Sequence, residues 1–367
     1  MAGPIRTFVV DDSAVVRSVL RDLVEQDPRL AWAGEAADGQ AAVALIPEAR
    51  PDIVLMDVLL PRLDGLQATA RLMADHPLPI VLMSETTGSD PEMALSGLEA
   101  GAVEVMRKPT RRELEDPLAA SRLGRKICAL SMVPVVTRRR RAGSTAAATV
   151  ANTANTAKIA NIANTAPSPR QDFSLVCIGA STGGPLAIRS LLADLGAPPV
   201  PVVIVQHMTA GFTRSLAAWL EGEVGVPVEL VGGVTEPRPG RVYLAPDGSH
   251  LKLRGRSLVL DAEPHGTFHR PSIDVLFQSV VDSGLAHRTL AVLLTGMGAD
   301  GANGMAEICE AGGWTIAQDE ASSVVYGMPK VARELGGVRE VCPLQRIGRR
   351  IAQLVEGRCR PYQETAP

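Results

Sequence analysis

The sequence predicts an α/β chain of two domains, each built on a largely parallel sheet covered by helices. Three observations carry this expectation. Strand and helix patterns alternate over residues 5 to about 130 and again from about 172 to 362, which is the signature of parallel sheets with crossover helices. The composition changes abruptly between those two stretches. In the second stretch, three apolar strands each run into a reactive residue, Ser181, His207 and Asp300.

In the first stretch, strands are expected at Ile5–Val10, near Ala31–Ala36, and at Ile53–Met56, Ile80–Met83 and Val103–Met106. Ser13–Glu25 carries apolar residues at Val15, Val16, Val19, Leu20 and Leu23, the spacing of one helix face. Thr110 to about Leu130 reads as a final helix, which closes a domain over residues 1–130. Residues 131–171 read as a flexible linker. They hold four arginines, Arg138–Arg141, and an Ala/Thr/Asn stretch from Ser144 to Thr165. That stretch has few large side chains to bury, so ordering it would not be repaid. The arginine run reads as a solvated charge cluster, with a site for acidic partners as the alternative.

The second domain is expected over 172–362. Its strands include Leu175–Ala180, Val202–Gln206, the run from Leu290, and Thr315–Gln318. Arg241–Ala245, Leu251–Arg254 and Leu258–Leu260 are expected to form an antiparallel portion, the last two joined around Gly255. The whole is a Rossmann-like, doubly wound domain with a mostly parallel sheet and that small antiparallel part.

Net charge is -3, with 21% of residues charged and 3% aromatic. This argues against general nucleic-acid or membrane-surface binding and against stacking on single strands. No apolar run reaches membrane-span length, and no export-type segment precedes Ile5. The five cysteines, Cys128, Cys177, Cys309, Cys342 and Cys359, show no paired metal-ligand spacing. They are expected to be reduced thiols of a cytoplasmic protein.

Asp11 and Asp12 end the first strand, Asp57 the third and Ser84 the fourth, and Lys108 follows the fifth. Each acid alone could be a helix cap. Together they fall at the carboxyl ends of one sheet, where three carboxylates suit Mg²⁺. A carboxylate beside that cation can accept a phosphoryl group. This half resembles the receiver domains of two-component response regulators, through Val10-Asp-Asp-Ser13, Leu55-Met-Asp57-Val-Leu-Leu-Pro61 with Asp64-Gly65, Met83-Ser84 and Lys108-Pro109. The resemblance implies a flavodoxin-like fold, Asp57 as phosphoacceptor, Asp11 and Asp12 as magnesium ligands with it, and Ser84 and Lys108 as switch residues. Val105 stands where receivers often carry an aromatic.

Ser181 lies in Gly179-Ala-Ser-Thr-Gly183, between a strand and a helical pattern. Such a turn is a nucleophile elbow, a phosphate cradle or simple turn chemistry. His207 could serve as base, and Asp300 could orient its ring. His265 and His269 are four apart, but Gly266 and Pro271 favour a loop over a helical metal site. His76, His250 and His287 have no evident partners in the sequence.

The whole chain resembles the chemotaxis protein-glutamate methylesterases of the CheB family. The second half does so through Ile178-Gly-Ala-Ser-Thr-Gly-Gly-Pro185, Val205-Gln-His-Met208, His269-Arg-Pro-Ser-Ile-Asp-Val275, Leu294-Thr-Gly-Met-Gly-Ala-Asp-Gly301 and Gln318–Pro329. The resemblance implies Ser181 as nucleophile, His207 as base, Asp300 as orienting acid, and an oxyanion hole at the Met297 N–H with Thr182 nearby. It implies methylated chemoreceptors as substrate, deamidation of receptor glutamines, a chemosensory histidine kinase as phosphodonor, and no esterase cofactor. A monomer without nucleic-acid partners, associated with receptor arrays, is expected. Thr209-Ala210, Trp219 and Asp247 depart from the residues usual in the family. Two rivals stay open, a non-catalytic binding module and a hydrolase of small esters.

Overall fold

The computed structural model describes residues 3–84, 90–133, 135, 172–263, 266 and 269–357. The arginine run, His265 and most of the expected linker lie outside the described residues.

The first domain runs β1 (Ile5–Val10), α1 (Ala14–Gln26), β2 (Leu30–Ala36), α2 (Gly39–Ala49), β3 (Ile53–Asp57), α3 (Gly65–Asp75), β4 (Ile80–Ser84), α4 (Asp90–Glu99), β5 (Glu104–Arg107), α5 (Arg111–Leu114) and α6 (Pro117–Ser131). Its sheet is parallel, in the order β2-β1-β3-β4-β5. Residues Ile53–Asp57 and Ile80–Ser84 are buried throughout, as central parallel strands covered on both faces must be. Ser13, Asp38 and Asp64 start α1, α2 and α3 by accepting a backbone N–H two or three residues into the helix. The single helix expected over Thr110–Leu130 is two. Asp116 caps a new start, and Pro117, which lacks the N–H an interior position needs, opens α6.

The second domain runs β6 (Leu175–Ala180), α7 (Gly184–Leu195), β7 (Val202–Gln206), α8 (Thr213–Val224), β8 (Val228–Leu230), β9 (Val242–Leu244), β10 (His250–Arg254), β11 (Ser257–Asp261), α9 (Ile273–Asp282), β12 (Thr289–Leu293), α10 (Ala302–Glu310), β13 (Trp314–Gln318), α11 (Met328–Glu334), β14 (Glu340–Cys342) and α12 (Leu344–Val355). The main sheet has the order β14-β13-β12-β6-β7-β9-β8, and β10 and β11 form a separate antiparallel pair. The stretch Val242–Leu244 therefore leaves the expected antiparallel portion: it pairs parallel to β7 and β8. From β6 the chain builds to one side with β7, and β12 returns on the other side. The carboxyl ends of these three adjacent strands flank a topological switch point, where open α/β sheets bind ligands.

The two domains touch. One apolar cluster runs from Leu82, Leu95 and Leu98 of the first domain to Ile188, Leu216 and Leu220 of the second, and α4 packs on α8. Val324 of the second domain packs against the cluster that contains Val103 and Met106.

Candidate active site and phosphoacceptor site

Ser181 follows β6 directly, and its carbonyl accepts the Gly184 N–H in the turn into α7. Gly183 holds φ +74, a left-handed conformation that glycine adopts without strain. Ser181 N donates to Thr295 O, and His207 N to Ala180 O, so the turns after β6 and β7 are pinned to neighbouring strand ends. Gly296 allows a second close approach, because a Cβ there would lie 2.6 Å from Ser181 Cβ. Met297 is next in that loop and is 36% exposed, while Thr182 is buried.

Asp300 is the best-anchored member of the group. Its Oδ2 lies 2.7 Å from His207 Nε2 and accepts the Ile273 N–H at 2.8 Å. Its Oδ1 accepts from Ser272 Oγ at 2.8 Å and from Asp274 N at 3.1 Å. The carboxylate thus sits on the N-terminus of α9, where free N–H groups favour an anion. Burial pushes the Asp300 carboxyl up, but its hydrogen bond to and charge interaction with His207, with the two α9 N–H groups, carry it well below the usual carboxylate range. An ionised Asp300 can hold a positive imidazole. The other ring nitrogen, Nδ1, is buried and has no hydrogen-bond partner among the described residues, so in this arrangement His207 bonds Asp300 but not Ser181.

Three residues to which the sequence assigned no role beside His207 support this group. His269 stacks on His207, with ring centroids 3.9 Å apart and planes at 14°. Burial, then the neighbouring His207, lower its pKa to about 4 against the pull of Asp300, so it offers His207 a neutral stacking face near pH 7. His250, partnerless in the sequence, is buried, and its Nδ1 accepts from Ser272 N at 3.2 Å. Ser272 caps α9 while its hydroxyl reaches Asp300. The cap was open to recognition, since a serine before an apolar-periodic run is an N-cap signal. The bond to Asp300 joins residues 28 apart and leaves no local signal.

In the first domain, Asp11, Asp12 and Asp57 place carboxylate oxygens within 4.8 Å of one another. Lys108 Nζ lies 3.0 Å from Asp11 Oδ2 and 2.8 Å from Asp57 Oδ2. Burial raises the Asp57 carboxyl to about 6, against the opposing pull of Lys108. Ser84 is buried at the end of β4, and its carbonyl accepts the Lys108 N–H. Asp11 Oδ2 is buried, with the Lys108 ammonium as its neighbour. Three carboxylates gathered this closely are an all-oxygen donor set that fits a hard divalent cation.

One receiver-side contact reaches the other site. The Glu104 carboxyl, buried on β5, faces the hydroxyl of Thr182. Its Oε2 lies 3.9 Å from Lys126 Nζ. Burial raises the Glu104 carboxyl, with Lys126, the Val105 N–H and Thr182 opposing.

A serine, histidine and aspartate at one switch point, joined to an acidic strand-end pocket, define the class: a hydrolase that carries a signalling domain. Residues 176–351 match the CheB methylesterase family, and residues 7–118 match the response regulator receiver domain. The protein-glutamate methylesterase/protein-glutamine glutaminase of Symbiobacterium thermophilum is 40% identical over 359 residues, 96% of this chain and 97% of that protein. Protein-glutamate methylesterase/protein-glutamine glutaminase 4 of Myxococcus xanthus is 42% identical, covering 96% of this chain and 98% of its own. The solved catalytic domain of the Thermotoga maritima CheB methylesterase is 36% identical, covering 50% of this chain and 99% of that one, with a TM-score of 0.47. The chain belongs to the CheB methylesterase family, and is a carboxylic ester hydrolase with a receiver domain. Among the described residues no helix is long and apolar enough to cross a membrane.

Proposed function

We propose that this enzyme hydrolyses γ-glutamyl methyl esters on chemoreceptors to glutamate and methanol, using Ser181, His207 and Asp300, under control of phosphorylation at Asp57. The observation that carries the reading is Asp300. It is bonded to His207 and seated on the N-terminus of α9, one strand away from Ser181.

In this reading, His207 takes the Ser181 proton as Oγ attacks the ester carbonyl. Asp300 stabilises the imidazolium that results. The carbonyl oxygen becomes an oxyanion held by the Met297 N–H, with Thr182 nearby. One such donor is worth roughly a hundred- to a thousandfold in rate. Collapse breaks the carbon–oxygen bond to the methoxy group, which leaves as methanol with the proton from His207. Water, deprotonated by His207, then attacks the acyl-enzyme, and glutamate and free Ser181 are released. A glutamine side chain follows the same course with ammonia leaving.

Mg²⁺ would be held by Asp11, Asp12 and Asp57, and would offset the charge gathered there on phosphorylation. Asp57 would take its phosphoryl group from a chemosensory histidine kinase. Lys108 would pair with the phosphate, and Ser84 would donate to one of its oxygens. The contact of Glu104 with Thr182 supports the view that the unphosphorylated receiver restrains the nucleophile turn. Phosphorylation would shift the population away from that contact. The expected setting is the cytoplasmic face of receptor arrays.

The test is methanol release from methylated receptor membranes. Wild type releases methanol, Ser181→Ala does not, and a fluorophosphonate attaches to Ser181 alone. Release that survives Ser181→Ala would overturn the reading.

A further inference from the structure

Gln206 is the last residue of β7 and is buried. It pairs in register with Ala180, the residue before Ser181. Its side-chain Nε2 donates twice, at 2.8 Å to the carbonyl of Ser181 and at 2.8 Å to the carbonyl of His207. Both acceptors are carbonyl oxygens, which cannot donate, so chemistry fixes which end of the amide faces them. One side chain therefore ties the main chain of the nucleophile to the main chain of the base.

Two features argue that this amide is more than filling. Its Oε1 is buried without a partner among the described residues, a state that folded proteins avoid. The first residue of α7 must also be glycine to admit it, because a Cβ on Gly184 would lie 1.9 Å from Oε1. An apolar side chain of similar volume would fill the same space without burying an unpaired acceptor. Without the amide, Ser181 O keeps the Gly184 N–H at 2.8 Å. The turns after β6 and β7 would keep the His207 N–H to Ala180 O bond at 2.9 Å, but lose the bridge from Ser181 O to His207 O.

We propose that Gln206 is a positioning residue for hydrolysis, whose amide sets how Ser181 Oγ meets the His207 ring. The inference rests on the roles given above to Ser181 and His207. Its size follows from the steepness of proton transfer and attack with distance, since a displacement of about 1 Å costs on the order of a hundredfold.

The test uses the full chain with Gln206→Met, which removes both donors at similar length, and Gln206→Glu, whose neutral carboxyl keeps one. Turnover of methylated receptors, the rate of Ser181 phosphonylation by a fluorophosphonate, and the thermal midpoint are measured on each. We expect Gln206→Met to cut kcat by roughly ten- to a hundredfold and to slow phosphonylation in parallel. KM should stay within about twofold, the mark of an interaction made in the transition state. Gln206→Glu should fall between Gln206→Met and wild type, and lose ground relative to wild type as its carboxyl ionises. Wild-type kcat and phosphonylation in Gln206→Met would overturn the inference, as would a loss matched by the fraction of unfolded protein or carried by KM alone. If Ser181→Ala is inactive while Gln206→Met is unchanged, only this inference falls. If Ser181→Ala keeps releasing methanol, the triad falls and takes the inference with it.

Discussion

Arg189 on α7 places Nη1 2.7 Å from Glu99 Oε1 on α4, so the catalytic domain grips the receiver by an ion pair. The same nitrogen lies 3.2 Å from Glu223 of α8, and the guanidinium sits 5.7 Å over the ring of Trp219. Arg189 is thus oriented by its own domain before it meets Glu99. Partly exposed pairs of this kind contribute about 0.2–1 kcal/mol. Arg189→Ala should raise methanol release by the unphosphorylated enzyme about 1.5- to 5-fold, with little effect once Asp57 is phosphorylated. Assays on receptor membranes with and without phosphodonor check both halves.

Glu104 gives the closed arrangement a pH dependence. Its carboxyl is buried where the domains meet, and burial raises its pKa there. The protonated form is therefore favoured when the domains are packed. As pH rises above the ordinary glutamate range and through the raised value, the carboxylate becomes costly in the closed form. Basal activity should rise accordingly. Glu104→Gln removes this cost, so it should lower basal activity near pH 7 and flatten its dependence on pH. The charged group facing this carboxyl is Lys126, whose Nζ lies 3.9 Å from Oε2. The check is the ratio of unphosphorylated to phosphorylated activity at several pH values, since the intrinsic pH profile of the esterase cancels in it.

Asp57 makes a second, separable pH prediction. Its carboxyl is raised to about 6 by burial. A carboxyl raised on folding contributes nothing below its unfolded pKa, and destabilises progressively up to its folded pKa. Without divalent cation, Asp57→Asn should therefore gain stability over wild type between about pH 4 and pH 6, levelling near 3 kcal/mol at most. The loss of the Lys108 contact, 2.8 Å long, reduces that gain. Paired urea titrations at several pH values measure it. Addition of Mg²⁺ should stabilise wild type more than Asp57→Asn.

At the esterase, Asp300→Asn should lower kcat by on the order of ten-thousandfold, the scale seen when a triad acid is neutralised elsewhere. The asparagine cannot supply the charge that His207 faces across 2.7 Å. His269→Phe should retain more activity than His269→Ala, because a phenyl ring keeps a stacking face against His207. Steady-state kinetics on receptor membranes compare the three.

The residues at strand ends were legible because a parallel sheet delivers them there whatever the loops do. Asp11, Asp57, Ser84, Ser181 and His207 fall directly at or after strands that the sequence marks by apolar runs. The strands Val228–Leu230 and Glu340–Cys342 were not legible. They are three residues long, and each contains a glutamate, so no period can be read. Pro117 splits the expected helix because a proline fits a first helical position, after Asp116, better than an interior one. Ser272, His250, His269 and Gln206 act through bonds or stacking to residues distant in sequence. Glu104 meets Thr182 of the second domain, and a strand pattern carries no record of that contact.

Control of the ester chemistry at Ser181 by a phosphoryl group on Asp57 is open to direct test. The most direct measurement is methanol release from radiomethylated receptor membranes by wild type and Asp57→Asn, each with and without acetyl phosphate and Mg²⁺. The account predicts that wild type rises by about tenfold, within the usual range of coupling between sites, while Asp57→Asn stays at the basal level. Wild-type release that ignores the phosphodonor, and is also unchanged when residues 1–130 are deleted, would contradict it.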